Sequence, residues 1–228
     1  MVRTPVVVAG VGGLGSHVLS NLARLAPLTI EIWDPAVIDA PDLNRQILYT
    51  EPDLGRRKTD AAAEALRRVN GDLTIFAQSA AISAIAFLER SAVGGGAISQ
   101  DGTAEPPFVL FDCLDSFAAR AELEAIRRRT GCTVIHGGVE GWYGQATTLT
   151  GDGPGYPGVF GPRYAETAAA AKPILPTTVA AVAALQVTEF IHLCNRPGGT
   201  SFAKTPLTGT MAIYDGRRMT IDLMEIAQ

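Results

Sequence analysis

The chain has 228 residues, of which 47% are hydrophobic, and it carries a formal net charge of −4. This length supports one domain with a substantial core and is short for two, and the negative charge argues against a nucleic-acid partner. The three cysteines, Cys113, Cys132 and Cys194, are too few and too scattered for a disulfide framework, which predicts a reducing, cytoplasmic compartment.

Apolar strands and amphipathic helices alternate along the first part of the chain, and strands without helices between them come late. The pattern predicts strands at 5–9, 28–33, 73–78, 108–112, 133–136, 145–149, 211–214 and 219–223, and helices at 14–26, 56–69, 84–90, 117–129 and 177–194. The intervening segments 35–53, 92–107 and 150–176 are predicted to be loops. We therefore expect a single α/β domain with a Rossmann-like mixed sheet, mainly parallel with antiparallel C-terminal strands.

No segment of the sequence is expected to be a signal peptide or to span a membrane. The first strand begins almost at once, which leaves no room for a signal peptide. The apolar segment 177–194 contains Gln186, Thr188, Glu189 and His192, so it is expected to be a buried helix and not a membrane span.

A glycine-rich turn follows the first strand and opens the first helix. Gly10, Gly12, Gly13 and Gly15 lack Cβ atoms where a phosphate would approach the backbone, and the helix directs its free N–H groups to that point. Asp34, at the end of the second strand, is placed to accept hydrogen bonds from a ribose. This pattern predicts a nucleotide site but does not identify the nucleotide, since an NAD dehydrogenase uses the same parts.

Three polar residues after the second strand favour phosphate chemistry. Arg45, Gln46 and Lys58 follow at the mouth of the expected site, and a dehydrogenase has no need of them. An enzyme that transfers a phosphoryl or nucleotidyl group needs such residues, because negative charge grows on the phosphate oxygens in the transition state. The alternative is that the run 56–58 is a solvated basic loop.

Two acids lie at the end of the fourth strand, at the sheet edge where open α/β proteins bind ligands. Asp112 and Asp115 could hold Mg²⁺ against phosphates. Alternatively, Asp115 or Ser116 caps the helix that follows.

Taken in order, these motifs resemble the ThiF/MoeB/HesA family, the bacterial relatives of ubiquitin-activating enzymes. The matching stretches are Gly10–Ser16, Asp34 with Val37-Ile38-Asp39, Leu43–Gln46, Asp53–Lys58, Asp112–Ser116, His136–Val139 with Tyr143–Gln145, and Ala184–Glu189. They span nearly the whole chain, so the resemblance implies one ThiF-like adenylation domain over residues 1–228.

The resemblance implies that ATP and Mg²⁺ are used to adenylylate the C-terminal glycine of a small ubiquitin-like sulfur carrier of the ThiS or MoaD kind, ending in Gly-Gly. By position, Asp34 would bind ribose, Arg45, Gln46 and Lys58 would hold the phosphates, and Asp115 would take the metal with Asp112 nearby. Catalysis would consist mainly of positioning and charge neutralisation. A homodimer and a separate sulfur donor are also implied.

The chain departs from the family pattern at four places. Ala36 stands where a second acid is common. Asp42, a candidate cofactor-binding residue, stands where an asparagine is usual, and an acid there would either repel the phosphates or help to hold Mg²⁺. No cysteine pair has zinc-ligand spacing, and no cysteine lies between Cys132 and Cys194, so we expect neither a zinc site nor a covalent enzyme intermediate. Only Arg3 precedes the first strand, so the arginine that such dimers exchange is missing or supplied otherwise.

The crossover segment and several single residues also receive an interpretation from the sequence. The segment at about 150–176 is expected to be a mobile crossover loop over the carrier's tail, and Trp142 and Tyr143 either line the tail channel or pack on the surface. His136 is interpreted as a structural histidine, Cys113 and Cys132 as small buried hydrophobes, and Arg127–Arg129 as the solvated end of a helix.

The sequence is also compatible with three other functions. The same machinery could adenylylate a small-molecule carboxylate. An NAD(P)-linked oxidoreductase would share the glycine turn, although Arg45, Gln46 and Lys58 argue against it. A catalytically silent scaffold that binds a nucleotide or partner is kept open by Ala36 and Asp42.

Overall fold

One mixed sheet organises the molecule. The computed structural model describes residues 4–25, 28–90, 108–166, 174–195 and 205–226. Its strands are β1 (Val6–Ala9), β2 (Thr29–Trp33), β3 (Thr74–Gln78), β4 (Val109–Asp112), β5 (Thr133–Glu140), β6 (Tyr143–Leu149), β7 (Thr210–Asp215) and β8 (Thr220–Glu225). They lie in the order β3-β2-β1-β4-β5-β6-β7-β8. The strands from β3 to β5 pair in parallel and those from β5 to β8 antiparallel, which confirms the predicted fold class.

Helices cover both faces of the parallel part. They are α1 (Gly13–Leu22), α2 (Lys58–Val69), α3 (Ala84–Arg90), α4 (Phe117–Thr130), α5 (Gly155–Phe160) and α6 (Pro176–Cys194), with 3₁₀ turns at Ala40–Asn44, Glu51–Asp53 and Tyr164–Glu166. Along β1, Val6 and Val8 belong to one apolar core and Val7 and Ala9 to the other. The continuous apolar run of β1 is therefore explained by burial on two faces.

The predicted buried helix is confirmed as α6. Within the described part of the chain it is the one helix long and apolar enough to cross a membrane by length and composition. It packs along α1, and its buried polar groups bind the sheet: Gln186 Nε2 donates to the carbonyls of Asp112 and Ile135, each at 3.0 Å. Glu189 Oε2 accepts from the hydroxyl of Thr148 at 2.7 Å. These contacts are those of a core helix.

The helix predicted at 14–26 ends at Leu22, the loop predicted at 35–53 contains two 3₁₀ turns, and two further segments differ more. The strands predicted at 133–136 and 145–149 are longer, because the glycines between them belong to β5 and β6 and let α6 approach closely. A Cβ on Gly144 would lie 2.2 Å from Val182 Cγ2, and one on Gly137 would lie 2.6 Å from Gln186. The segment 150–176, predicted to lack regular structure, contains α5 and a 3₁₀ turn. The loop predicted at 92–107 lies outside the described residues.

Candidate active site

The glycine turn connects β1 to α1 at the point where β1 and β4 are neighbours. Gly10 has φ +89°, and a Cβ there would lie 2.7 Å from the carbonyl oxygen of Cys113, so this glycine lets the ends of β1 and β4 meet. A Cβ on Gly15 would lie 2.0 Å from Gly10 O, so Gly15 lets α1 pack on the turn. These two glycines serve the fold before any ligand is considered.

Gly12 is the least crowded glycine of the turn, because a Cβ there would make only an ordinary van der Waals contact. The nearest atom to a Cβ built there is Gln46 Nε2 at 3.8 Å. Gly12 is also the N-cap of α1, where no side chain accepts a cap hydrogen bond and no acid occupies the first turn. The uncapped N–H groups of the first turn and the space over Gly12 fit a phosphate.

Asp34 is bound to the same turn. Its Oδ2 accepts from the backbone N–H of Val11 and its Oδ1 from that of Ala36, both at 2.8 Å. Asp34 therefore fixes the conformation of the glycine turn. Each carboxylate oxygen keeps a second lone pair, so the ribose contact stays a prediction.

Asp42 joins the residues predicted to hold phosphates. Its Oδ2 lies 3.0 Å from Lys58 Nζ, and its Oδ1 accepts from Gln46 Nε2 at 2.6 Å and lies 3.5 Å from Arg45 Nη2. The side chains of Lys58, Gln46 and Asp42 are nearly buried. Lys58 is thus held in a defined place, and the alternative of a solvated basic loop fits only the exposed Arg56 and Arg57.

Tyr49, which sequence reasoning missed, fastens this cluster to the glycine turn. Its hydroxyl lies 2.8 Å from Val11 O and 3.2 Å from Lys58 O. Burial, together with the carboxylates of Asp34, Asp42 and Asp53, raises the pKa of Tyr49, so it remains a donor. Nothing in the local sequence distinguishes Tyr49 from an ordinary core aromatic residue.

The two acids after β4 have different environments. Asp112 is fully buried, and its Oδ2 lies 2.8 Å from Arg120 Nε, 2.6 Å from His136 Nδ1 and 2.7 Å from Tyr156 Oη. Burial alone would raise the pKa of Asp112, but the Arg120 guanidinium and His136 outweigh it and lower that pKa. In this conformation Asp112 stabilises the fold, and its contact with a ligand or metal stays a prediction.

Asp115 is exposed beside this buried group. Ser116 and not Asp115 is the N-cap of α4, since Ser116 Oγ accepts from Ala119 N–H at 3.3 Å. The capping alternative therefore applies to Ser116. Asp115 comes two residues after Cys113, whose carbonyl oxygen faces Gly10, so its backbone belongs to the turn next to the glycine turn. Its role as a metal ligand stays a prediction.

His136 has the surroundings of a structural histidine. It is fully buried, and burial lowers its pKa more than the Asp112 carboxylate raises it. The neutral ring can donate from Nδ1 to Asp112, and Nε2 lies 3.3 Å from Gln145 Nε2, which can donate to it. Arg120 and Tyr156 complete this cluster and were missed: Arg120 looks like an ordinary residue of α4, and Tyr156 lies 44 positions from Asp112.

The interpretation of Arg127–Arg129 as a solvated helix end is wrong for its first member. Arg127 is buried and forms an ion pair with Glu124 at 2.9 Å, while Arg128 and Arg129 are exposed as expected. Arg127 also donates to the carbonyls of Thr150 and Gly151. The run of three arginines resembles a solvated helix terminus in sequence, and the burial of Arg127 depends on the docking of 150–156.

The cysteines and the aromatic pair can also be placed. Burial raises the pKa of Cys132 to about 12 and that of Cys194 to about 11, and it raises the pKa of Cys113 as well. Their thiols are therefore protonated and poor nucleophiles at neutral pH. Trp142 and Tyr143 are partly exposed at the β5–β6 turn, with the Arg217 guanidinium 6.0 Å from the Tyr143 ring centre.

The fold and this site define an α/β protein of the Rossmann-like class with a glycine-rich turn after β1 and the cluster of Arg45, Gln46, Lys58 and Asp42 beside it. The ThiF family model matches residues 1–228, and the chain belongs to the ThiF family. It is 28% identical over 226 residues to the SAMP-activating enzyme E1 of Haloferax volcanii, which covers 97% of this chain and 76% of that protein. It is 27% identical over 150 residues to the sulfur carrier protein ThiS adenylyltransferase of Escherichia coli, which covers 66% of this chain and 55% of that one.

Solved structures agree on the fold. The crystal structure of E. coli MccB with ATP has a TM-score of 0.78 at 16% identity, and that of PaaA a TM-score of 0.74 at 19% identity; each covers 99% of this chain. This chain spans 64% and 65% of those two chains. The relatives are named activating enzymes and adenylyltransferases, so the chain belongs to an enzyme family of the adenylyltransferase class.

Proposed function

We propose that this protein transfers AMP from ATP to the C-terminal glycine carboxylate of a small ubiquitin-like sulfur carrier and releases pyrophosphate. The observation that carries the proposal is the cluster of Lys58, Gln46 and Arg45 around Asp42, next to the open Gly12. A cationic group at that place suits triphosphate chemistry and has no use in hydride transfer. Relatives named for SAMP and ThiS support the substrate class.

The described residues fit ATP as the nucleotide. The space over Gly12 and the uncapped start of α1 accept phosphate oxygens, and Lys58 supplies a point charge beside them. The side chain of Gln46 is buried, and its Oε1 has no hydrogen-bond partner among the described residues. Phosphate oxygens only accept, so this oxygen is suited to a donor that accompanies them, such as a water molecule bound to the metal ion.

The donor set also fits Mg²⁺ held together with phosphates. No group of three or more metal-binding side chains occurs in the described part of the chain. Mg²⁺ is commonly held by one or two carboxylates, water and substrate phosphates, and Asp115 offers one exposed carboxylate. When bound, the ion would neutralise charge on the phosphates.

The reaction balances without an enzyme nucleophile. A carboxylate oxygen of the carrier attacks the α-phosphorus of ATP, and an oxygen–phosphorus bond forms. The bond from the α-phosphorus to the oxygen that bridges to the β-phosphorus breaks, and pyrophosphate leaves with that electron pair. Lys58 and Arg45 stabilise the negative charge of the leaving group, and the start of α1 holds the phosphates in line. A separate sulfur donor, a homodimer and a cytoplasmic location complete the proposal, on the resemblance alone.

Exchange of radiolabelled pyrophosphate into ATP tests this proposal. A carrier that ends in Gly-Gly and is encoded beside this chain should support exchange, and the same carrier without its last two residues should not. Lys58→Met should reduce exchange on the order of 100-fold, because a charge on the developing pyrophosphate is lost. Arg57→Met, which removes an exposed neighbouring charge, is the matched control and should stay near the parent rate.

The other outcomes select the alternatives. Exchange with small carboxylates but with no carrier would identify a small-molecule adenylyltransferase. Binding of ATP without exchange under any condition would support the silent scaffold. Binding of NADH in preference to ATP would overturn the proposal and favour the oxidoreductase.

A further inference from the structure

Asp42 lies inside the cationic cluster, and its position there differs from that of a residue that touches nucleotide. Both of its oxygens face side chains and backbone of this chain: Lys58 Nζ at 3.0 Å, Gln46 Nε2 at 2.6 Å and the backbone N–H of Asp39 at 3.2 Å. The side chain is almost buried between them. Asp42 therefore acts on a ligand through its neighbours.

We propose that Asp42 is a positioning residue that places Lys58 and Gln46 before nucleotide binds and offsets the charge of Lys58. This inference rests on the proposed nucleotide site and adds to it a control of phosphate affinity. Two cations, Arg45 and Lys58, face one carboxylate, so the cluster has a formal charge of +1 where an asparagine would leave +2. The chain thus holds a preorganised but weakened phosphate site.

The carboxylate of Asp42 fixes the positions of both Lys58 and Gln46, which an asparagine could not do in the same way. An asparagine has one side-chain acceptor, whereas Asp42 has two, one directed to Lys58 and one to Gln46. Holding Gln46 by its amide nitrogen leaves its Oε1 without a partner, so the orientation of Gln46 depends on Asp42. Lys58 loses freedom of its long side chain before a phosphate arrives, which lowers the entropy cost of binding.

The test compares ligands that differ only in phosphate. Binding of ATP and of adenosine, both with EDTA, is measured by calorimetry for the parent protein and for Asp42→Asn. We expect ATP to bind on the order of tenfold more tightly to the variant, because one opposing charge is removed from a partly buried site. Adenosine affinity should not change, since the cluster faces phosphates alone.

Two further variants show whether Asp42 acts through Lys58. In a Lys58→Met background the gain from Asp42→Asn should largely disappear, since the two residues form one pair. Asp39→Asn removes the same charge from an exposed residue three positions away, and ATP affinity should change less than twofold. If Asp42→Asn does not fold, Asp42→Ser, which keeps an uncharged acceptor, takes its place.

Each result decides the proposal. Tighter ATP binding that requires Lys58 supports it. Unchanged or weaker ATP binding overturns it: a selective loss of ATP affinity would mean that Asp42 does not offset the charge of Lys58, and no change or an equal loss with adenosine would mean that Asp42 is purely structural. The binding measurements need neither carrier nor turnover, so they can be interpreted even if pyrophosphate exchange is not observed. Conversely, a negative result for Asp42 does not change what the exchange experiment shows.

Discussion

The Tyr156 hydroxyl donates to Asp112 Oδ2 over 2.7 Å, although the two residues lie 44 positions apart. Tyr156 belongs to α5, inside the segment expected to cross over the carrier's tail, and Asp112 ends β4 at the ligand-binding edge of the sheet. The contact therefore fastens the start of the crossover segment to the edge that carries Asp115. Both side chains are fully buried.

Replacing Tyr156 with phenylalanine should destabilise the protein by about 1–3 kcal/mol, because a buried carboxylate loses a donor while the ring packing is kept. The free energy of unfolding in urea measures this loss. Tyr143→Phe, at a half-exposed tyrosine on β6, should cost less than about 0.5 kcal/mol. Equal effects of the two substitutions would contradict the structural role of Tyr156.

The glycine turn predicts a separation of folding from binding. A Cβ at Gly15 would lie 2.0 Å from Gly10 O, so Gly15→Ala should prevent folding or cost more than about 4 kcal/mol. At Gly12 the nearest atom is 3.8 Å away, so Gly12→Ala should fold with a loss within about 1 kcal/mol. Its methyl group would occupy the space for phosphate, and ATP affinity should fall at least tenfold. Calorimetry with ATP measures the change in affinity, and thermal unfolding measures the change in stability. Unchanged ATP affinity in Gly12→Ala would contradict the proposal that a phosphate binds at this turn.

Stability should decrease as the pH falls below about 6.5, the ordinary pKa of an unfolded histidine. Burial lowers the pKa of His136 in the folded state, and that of the partly buried His17 also falls. The unfolded chain therefore binds more protons below that pH, and the fully buried His136 can remove up to about 2 kcal/mol between pH 6.5 and 5, with a smaller loss from His17. Asp112 adds a second loss at lower pH: its folded pKa is lowered, so its contribution is complete above about pH 4 and is lost as the pH falls towards the folded pKa.

Urea unfolding at pH 7.0, 6.0 and 5.0 measures the histidine contribution. His136→Asn should be less stable at pH 7 but should lose less stability between pH 7 and 5, because the shifted imidazole is gone. His192→Gln, at an exposed histidine of α6, is the matched control variant. A His136→Asn protein with the full parent slope would show that this histidine is not held neutral.

The sequence allowed the sheet and the residues beside the glycine turn to be predicted, because each depends on local patterns. All-apolar strands, glycines after β1 and acids after β4 fix the fold class and the binding edge. The role of Asp42 was left open, since it depends on Lys58, 16 positions along the chain, folding back to 3.0 Å. Segment 150–176 was predicted to be a loop because its glycines and prolines oppose helix formation, whereas tertiary contacts of Tyr156 stabilise α5.

The buried Glu124–Arg127 pair shows most clearly what sequence alone does not reveal, and it can be tested against its neighbour. Arg127 contacts both Glu124 oxygens at 2.9 Å and donates to Gly151 O at the same distance, while Glu124 Oε2 accepts from Tyr156 N–H at 3.3 Å. Arg128 also contacts Glu124, at 2.6 Å, but is exposed. Arg127→Met should cost about 3–5 kcal/mol, because a buried carboxylate and two carbonyls lose their donor.

Arg128→Met should cost less than about 1 kcal/mol, since its ion pair is largely in solvent. The double variant Glu124→Gln with Arg127→Met should recover part of the loss, because no uncompensated charge then remains beside α5. Urea unfolding of the three variants decides between the two interpretations of this helix end. If the helix end were solvated, replacing Arg127 or Arg128 would lower the free energy of unfolding equally. If Arg127 holds the start of the crossover segment, only its replacement causes a large loss.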